Sequence, residues 1–273
     1  MRNFLSILGI FLLAPILLTL AVNGYGALSM QKDLSREEYL PQLLYRDIPV
    51  TYEAEALKAQ AVLERSSLFF YSGAQWREVL ADCVKISRTK EFQEVKNTLA
   101  RAAAETEGVL LVKNGQTVRG ISHRISAGKT RNGAEVTELP GYEELVSVES
   151  GKDTVADGFW QTFVFNEKKL METWQTGGDS LVLEVVAQDS VGYVTEVCIG
   201  NTVMGGEAFR EALGLSSACF TVEKKGGQVV FTCRGWGHGL GMSQYGASQM
   251  ALGGADYIEI LQYYFPNYEI IKK

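Results

Sequence analysis

Only two histidines occur in the chain, and each sits among residues suited to polar contacts. His238 lies in Gly235-Trp236-Gly237-His238-Gly239-Leu240-Gly241-Met242-Ser243-Gln244-Tyr245-Gly246-Ala247. Five glycines within residues 235–246 leave the main chain bare, so that another backbone or a ligand can come close. His238, Ser243, Gln244 and Tyr245 add an imidazole, a hydroxyl, an amide and a phenol. That set suits ligands rich in hydroxyls and amides, such as amino sugars. The same stretch also reads as a turn before a helix, with Ser243 as N-cap. His123 lies in Ser122-His123-Arg124-Ile125-Ser126-Ala127-Gly128-Lys129-Thr130, just after a predicted strand. Ser126, Lys129 and Thr130 there read either as part of a binding loop or as a polar exit from a hairpin. Zinc would need both histidines and two more ligands. Of the cysteines only Cys233 is near either histidine in sequence, so no metal and no cofactor is expected.

The acid that stands out is Asp47, which precedes Ile48-Pro49 at a break between two predicted helices. A carboxyl at such a corner can face a cleft. Glu53 and Glu55 read instead as solvated acids in a first helical turn, where the macrodipole favours them.

The elements that must position these groups follow from periodicity. Helices are predicted over Glu38–Tyr45, Glu53–Tyr71, Trp76–Val84 and Glu91–Glu107, the last stopped by Gly108. Val109–Lys113 and Gln116–Ser122 flank Asn114-Gly115, a hairpin signal. From Trp160 the chain turns strand-rich. Leu181–Ala187 and Tyr193–Ile199 flank a turn at Asp189–Gly192, and Phe220–Glu223 and Val229–Cys233 flank Gly226-Gly227. Short helices are predicted at Glu207–Leu213, Ser243–Leu252 and Tyr257–Tyr264. Helices first and hairpins later imply an α+β fold with a mixed, largely antiparallel sheet in one or two lobes.

Phe4–Val22 is an uncharged run of nineteen residues behind Arg2. As a helix it spans about 28 Å, enough for a bilayer core. The expected organisation is a cytoplasmic 1–3, a transmembrane anchor at 4–22, a linker at 23–34 and an extracytoplasmic domain at 35–273. The cell membrane is therefore the expected location, with a signal peptide cleaved before Ala27 as the alternative. A net charge of −6 with no basic tract argues against nucleic acid as a partner. The four cysteines, Cys83, Cys198, Cys219 and Cys233, are widely spaced and read as small buried apolar residues, although an exported domain permits disulfides.

Three separated stretches resemble the stage II sporulation protein D family, which also contains amidase enhancers. The first is Glu55-Ala56-Leu57-Lys58-Ala59-Gln60-Ala61-Val62 with Arg65. The second runs from Thr106-Glu107-Gly108 through His123 and Ser126 to Thr130, then Leu145–Ser150. The third is Gly237–Ala247. Arg210, Leu213-Gly214-Leu215-Ser216-Ser217 and Phe220 match as well. The resemblance implies lytic transglycosylases of denuded peptidoglycan. These act in forespore engulfment beside a membrane-bound wall amidase and a multi-spanning membrane protein. Such an enzyme needs one acid, which protonates the glycosidic oxygen and then accepts the C6 hydroxyl proton as a 1,6-anhydro ring closes.

By this resemblance Asp47 takes the acid/base position, and His123, Ser126, Lys129, Thr130, His238, Ser243, Gln244 and Tyr245 bind glycan or shape its groove. The chain departs from the family in several places. Arg46-Asp47-Ile48-Pro49 replaces a Glu-Met-Pro-like corner, shortening the acid by one methylene, about 1.5 Å. Leu63-Glu64 replaces small residues, Ala127 replaces a Gly, and the paired zinc-ligand cysteines of some members are absent. The shortened acid leaves a second reading open, that of a non-catalytic glycan-binding scaffold or amidase enhancer.

Overall fold

In the computed structural model, residues 36–273 are described. The expected Phe4–Val22 span and the 23–34 linker lie outside them. Among the described residues no helix is long and apolar enough to cross a membrane.

The chain begins with helices α1 (Leu40–Asp47), α2 (Ala54–Ser67), α3 (Gly73–Ile86) and α4 (Lys90–Glu105). A 3-10 turn at Leu68–Phe70 extends α2. Leu40, Leu43, Leu44, Leu57, Phe92 and Leu99 form one buried core between them. Ser72 and Gln75 make a reciprocal capping box that starts α3, and Thr89 caps α4. Gly108, at φ +73°, ends that run. Helix α1 lies further along the chain than its pattern implied, so Asp47 is its last residue rather than part of the break. Arg65, buried in α2, spends its guanidinium on Glu37, Thr106 and the carbonyls of Ala103 and Val109, tying α2 to the end of α4.

Next come β1 (Val109–Lys113) and β2 (Gln116–Thr117), joined through Asn114 and Gly115 at φ 51° and 76°, the signature of a type I′ turn. The second arm is shorter than predicted. Its far end peels away to form β3 (Ser122–His123), which pairs in parallel with β10 (Met242–Ser243). A short parallel pair between segments so far apart in sequence leaves no local pattern to find.

The strand-rich part holds β4 (Trp160–Asn166), α5 (Glu167–Thr173), β5 (Leu183–Gln188), β6 (Val194–Ile199) and β7 (Thr202–Gly205). It continues with α6 (Gly206–Leu213), β8 (Phe220–Lys225) and β9 (Gln228–Arg234). These strands form two antiparallel three-stranded sheets, ordered β4-β9-β8 and β5-β6-β7. Phe209, Phe220, Phe231, Val197 and Leu170 form the core beside them. After β10, α7 (Gln244–Leu252) and α8 (Tyr257–Tyr264) pack on α2, and β11 (Glu269–Lys272) closes a third sheet, β11-β1-β2. The fold is α+β with largely antiparallel sheets, as expected. All four cysteines are free, three of them buried.

Candidate functional site

The glycine-rich loop runs beside residues 121–126. Trp236 and Ile125 exchange main-chain hydrogen bonds, and Met242 N–H donates to the Ile121 carbonyl at 3.2 Å. At Gly237, φ is +105° and a Cβ would sit 2.9 Å from the Cβ of His123. At Gly239, φ is +79° and a Cβ would sit 2.6 Å from the Tyr193 ring and hydroxyl. The bare backbone therefore admits neighbouring protein, and this close approach brings the two imidazoles together at 5.8 Å between ring centroids. Gly239→Val is expected to lower stability by about 2–3 kcal/mol through strain and overpacking. Ser243→Ala should cost about 1 kcal/mol for a lost cap. Thermal unfolding of the two variants compares them directly.

One wall of a cleft of about 410 Å³ is made by that pairing. It is lined by Asp47 and Glu64 from α1 and α2, by Tyr71, by Arg119–Arg124, by Trp236–His238 and by Gln244. Asp47, His123, His238 and Gln244, singled out from sequence, thus share one cavity. Gln244 Nε2 donates to the Asp47 carbonyl at 2.7 Å and to the Ser122 hydroxyl at 3.3 Å, fixing the corner against the loop. Arg124 lies 4.9 Å from the centre of the Trp236 ring, which is 42% exposed at the cleft mouth.

The other expected groups lie outside that lining. Ser126 N–H donates to Asp153 Oδ2 at 2.7 Å, and the Ser126 hydroxyl accepts from Gly128 N–H. The Thr130 hydroxyl accepts from Val148 N–H at 2.9 Å. Lys129 pairs with Glu149 at the surface. Ser243 caps α7 by accepting from Gly246 N–H, and Tyr245 packs edge-on against Tyr52. These side chains brace the loops that hold the histidines. Asp153, which sequence reasoning missed, gathers Ser126, Ser150 and Ser243 around one buried carboxyl, and burial pushes its pKa up. As an isolated acid in a polar stretch it offered no pattern.

The imidazoles are distinguished by their partners. His238 Nδ1 accepts from Leu240 N–H at 3.1 Å, so its proton belongs on Nε2. His123 Nδ1 faces the Leu240 carbonyl at 3.0 Å and must donate, which makes Nε2 an acceptor without a protein partner among the described residues. Burial lowers both pKa values, to about 4 for His123 and about 3 for His238. Both rings are neutral at pH 7. A neutral ring with a spare acceptor can take a hydrogen bond from a hydroxyl or amide N–H.

The carboxyls are distinguished in the same way. Arg46 Nε and Nη2 donate to Asp47 Oδ1 and Oδ2, each at 2.7 Å, a bidentate clamp. Glu64, only 8% exposed, accepts from Gln60 Nε2 at 2.7 Å. Burial, with Asp47 close by, pushes the Glu64 pKa up to about 8. A signal for Glu64 existed. It falls on the apolar face of α2, in step with Leu57, Ala61 and Leu68. Among the described residues no group of three or more His, Cys, Asp or Glu is placed to hold a metal ion.

A mixed α+β domain with a cleft closed by a glycine-rich loop is thus the frame on which the three sequence motifs sit. The chain is similar to stage II sporulation proteins over most of its length. A family model described as "Stage II sporulation protein" matches residues 25–112. Stage II sporulation protein D of Bacillus subtilis (strain 168) is 28% identical over 258 residues, covering 88% of this chain and 75% of that protein. The protein of the same name from Bacillus amyloliquefaciens is 28% identical over 265 residues, with the same coverage. The Amidase enhancer of Bacillus subtilis (strain 168) is 38% identical over 66 residues, which is 24% of this chain and 8% of that protein.

Proposed function

We propose that this protein remodels peptidoglycan in sporulation, as a divergent lytic transglycosylase of denuded glycan strands. Its domain works outside the cytoplasmic membrane, held there by the Phe4–Val22 span. A membrane-bound wall amidase that strips stem peptides is the partner that would supply its substrate, with a multi-spanning membrane protein beside it. The observation that carries the reading is the single cleft that joins Asp47 to His123, His238 and Gln244.

The lining fits a sugar chain bearing amides and acids. Tyr71 and Trp236 offer ring faces against which sugar C–H groups can stack. Stripping the stem peptide turns the lactyl amide of muramic acid into a carboxylate, a ligand for guanidinium. Arg119 and Arg124 in the lining meet that need. The acid at the Asp47 corner protonates the glycosidic oxygen and later accepts the C6 hydroxyl proton. Ser126, Lys129, Thr130, Ser243 and Tyr245 hold the glycan-binding loops in shape.

Asp47→Asn is expected to lower the yield of 1,6-anhydromuramyl ends from denuded strands about 100-fold, the usual weight of a general acid. Retention of strands on the immobilised protein should stay within a few-fold. Retention without any anhydro product, from parent and variant alike, would replace this reading with that of a glycan-binding scaffold or amidase enhancer. The bidentate hold of Arg46 on Asp47 is the observation that favours that second reading.

A further inference from the structure

A second cavity, of about 500 Å³, lies beyond Arg119. Arg119 lines both this cavity and the Asp47 cleft, and the consecutive residues Tyr71 and Phe70 line one each. The two hollows are therefore neighbours, with the exposed Arg119 between them. Its guanidinium lies 6.0 Å from the centre of the Tyr71 ring. The cavity is walled by the β1–β2 hairpin, by the 140–145 loop, and by Phe265 and Tyr268 from the stretch before β11.

Its surface suits a sugar. Phe70 is 45% exposed, an apolar ring left in water, and Tyr142 and Tyr268 are half-buried. Such rings can take the C–H faces of a sugar, with polar groups around them to fix its orientation. Charge then selects which sugar. Lys113 is paired with Glu144 and sits 5.0 Å over the Tyr268 ring. Apart from Arg119, the lining is left with the exposed Glu143 as its unbalanced charge. An anionic sugar is repelled there and a neutral one is not. A denuded strand offers both kinds in alternation, neutral N-acetylglucosamine and acidic muramic acid.

We infer that this second cavity is a remote subsite for the glycan strand that enters the cleft. It takes a neutral N-acetylglucosamine, and Arg119 takes the carboxylate of the muramic acid beside it, on the cleft side. The inference rests on the glycan reading above. A hold on the strand away from the reacting bond fixes its register, and binding energy gained there helps place the glycosidic oxygen at the Asp47 corner.

The test is the affinity of the full-length protein for denuded strands of graded length, by calorimetry, with free stem peptide and uncharged N-acetylglucosamine oligomers run beside them. The parent's affinity should rise with strand length until both cavities are filled. Phe70→Ala and Tyr268→Ala should each weaken long strands about tenfold and leave the shortest within about twofold. Arg119→Gln should weaken denuded strands more than uncharged oligomers of equal length. Equal unfolding midpoints of parent and variants exclude misfolding, and if Tyr268→Ala unfolds, the exposed Phe70 decides alone. Long strands bound as tightly by Phe70→Ala as by the parent, or short and long strands weakened alike, overturn the subsite. Stem peptide that binds the parent and is lost in Phe70→Ala gives the cavity to peptide and overturns it too. An Arg119→Gln loss equal for both kinds of oligomer overturns the assigned register. A parent that binds no strand of any length overturns the glycan reading, and the subsite falls with it.

Discussion

Arg131→Met should cost about 3–5 kcal/mol of folding stability, as removal of one member of a buried ion network does. Arg131 is fully buried. It binds Asp189 at 2.6 Å and Glu207 at 2.8 Å, both themselves buried, and lies 4.7 Å from the centre of the Tyr193 ring. Without the guanidinium, two carboxylates are left in low dielectric with Arg210 as the remaining cation on Glu207. Arg131 Nη1 also donates to the His238 carbonyl at 3.2 Å, and the Arg131 main-chain N–H donates to the Gly239 carbonyl at 2.8 Å. The variant should therefore loosen the wall that carries His238 and lower glycan binding as well. Lys129→Met, in the same segment, removes only the exposed pair with Glu149 and should cost less than about 1 kcal/mol. Urea unfolding of both variants checks the contrast. Equal midpoints would show that the network contributes little.

At pH 9, Glu64→Gln should be more stable than the parent, by ~3 kcal/mol or more, while near pH 5 the two should be close. Burial raises the Glu64 pKa from 4.5 to about 8, so the folded state holds that proton more tightly than the unfolded state. The stability that follows is complete below pH 4.5 and drains away as pH rises through 8. A glutamine matches the neutral acid in shape and has no proton to lose. The histidines act with the opposite sign. Their folded pKa values, about 4 and about 3, lie below the ordinary 6.5, so their stability is present above 6.5 and is lost as pH falls through those values. That acid-side loss is common to both proteins, so the difference between them isolates Glu64. Denaturant titrations at a series of pH values measure it. An unchanged difference between pH 5 and pH 9 would contradict the burial argument.

Local pattern carried much of the fold. Apolar spacing, a Gly at position 108 and the Asn114-Gly115 turn located the first hairpin and every helix but α5, a short one capped by Asn166, and strand β7 also went unread. Other missed elements have non-local causes. Strand β11 exists because β1 offers it an edge across the length of the domain, and β3 with β10 exists because two distant segments lie side by side. The site was legible in the same uneven way. His123, His238 and Gln244 were visible as rare groups in unusual company, and Asp47 as an acid at a corner. The hydroxyls of Ser126, Thr130 and Ser243 looked like ligand contacts, yet in the fold they accept from main-chain N–H groups. Glu64 was visible only as a misfit among small residues. Its burial, and so its chemistry, comes from α1, Tyr71 and the 119–124 segment closing over α2, which no local pattern encodes.

The most direct test of the central claim is mass spectrometry of denuded glycan strands after incubation with the full-length protein, with Asp47→Glu run beside it. The account predicts 1,6-anhydromuramyl ends from the parent and no fewer from Asp47→Glu, which restores the missing methylene. Strands left uncut by both proteins would contradict it.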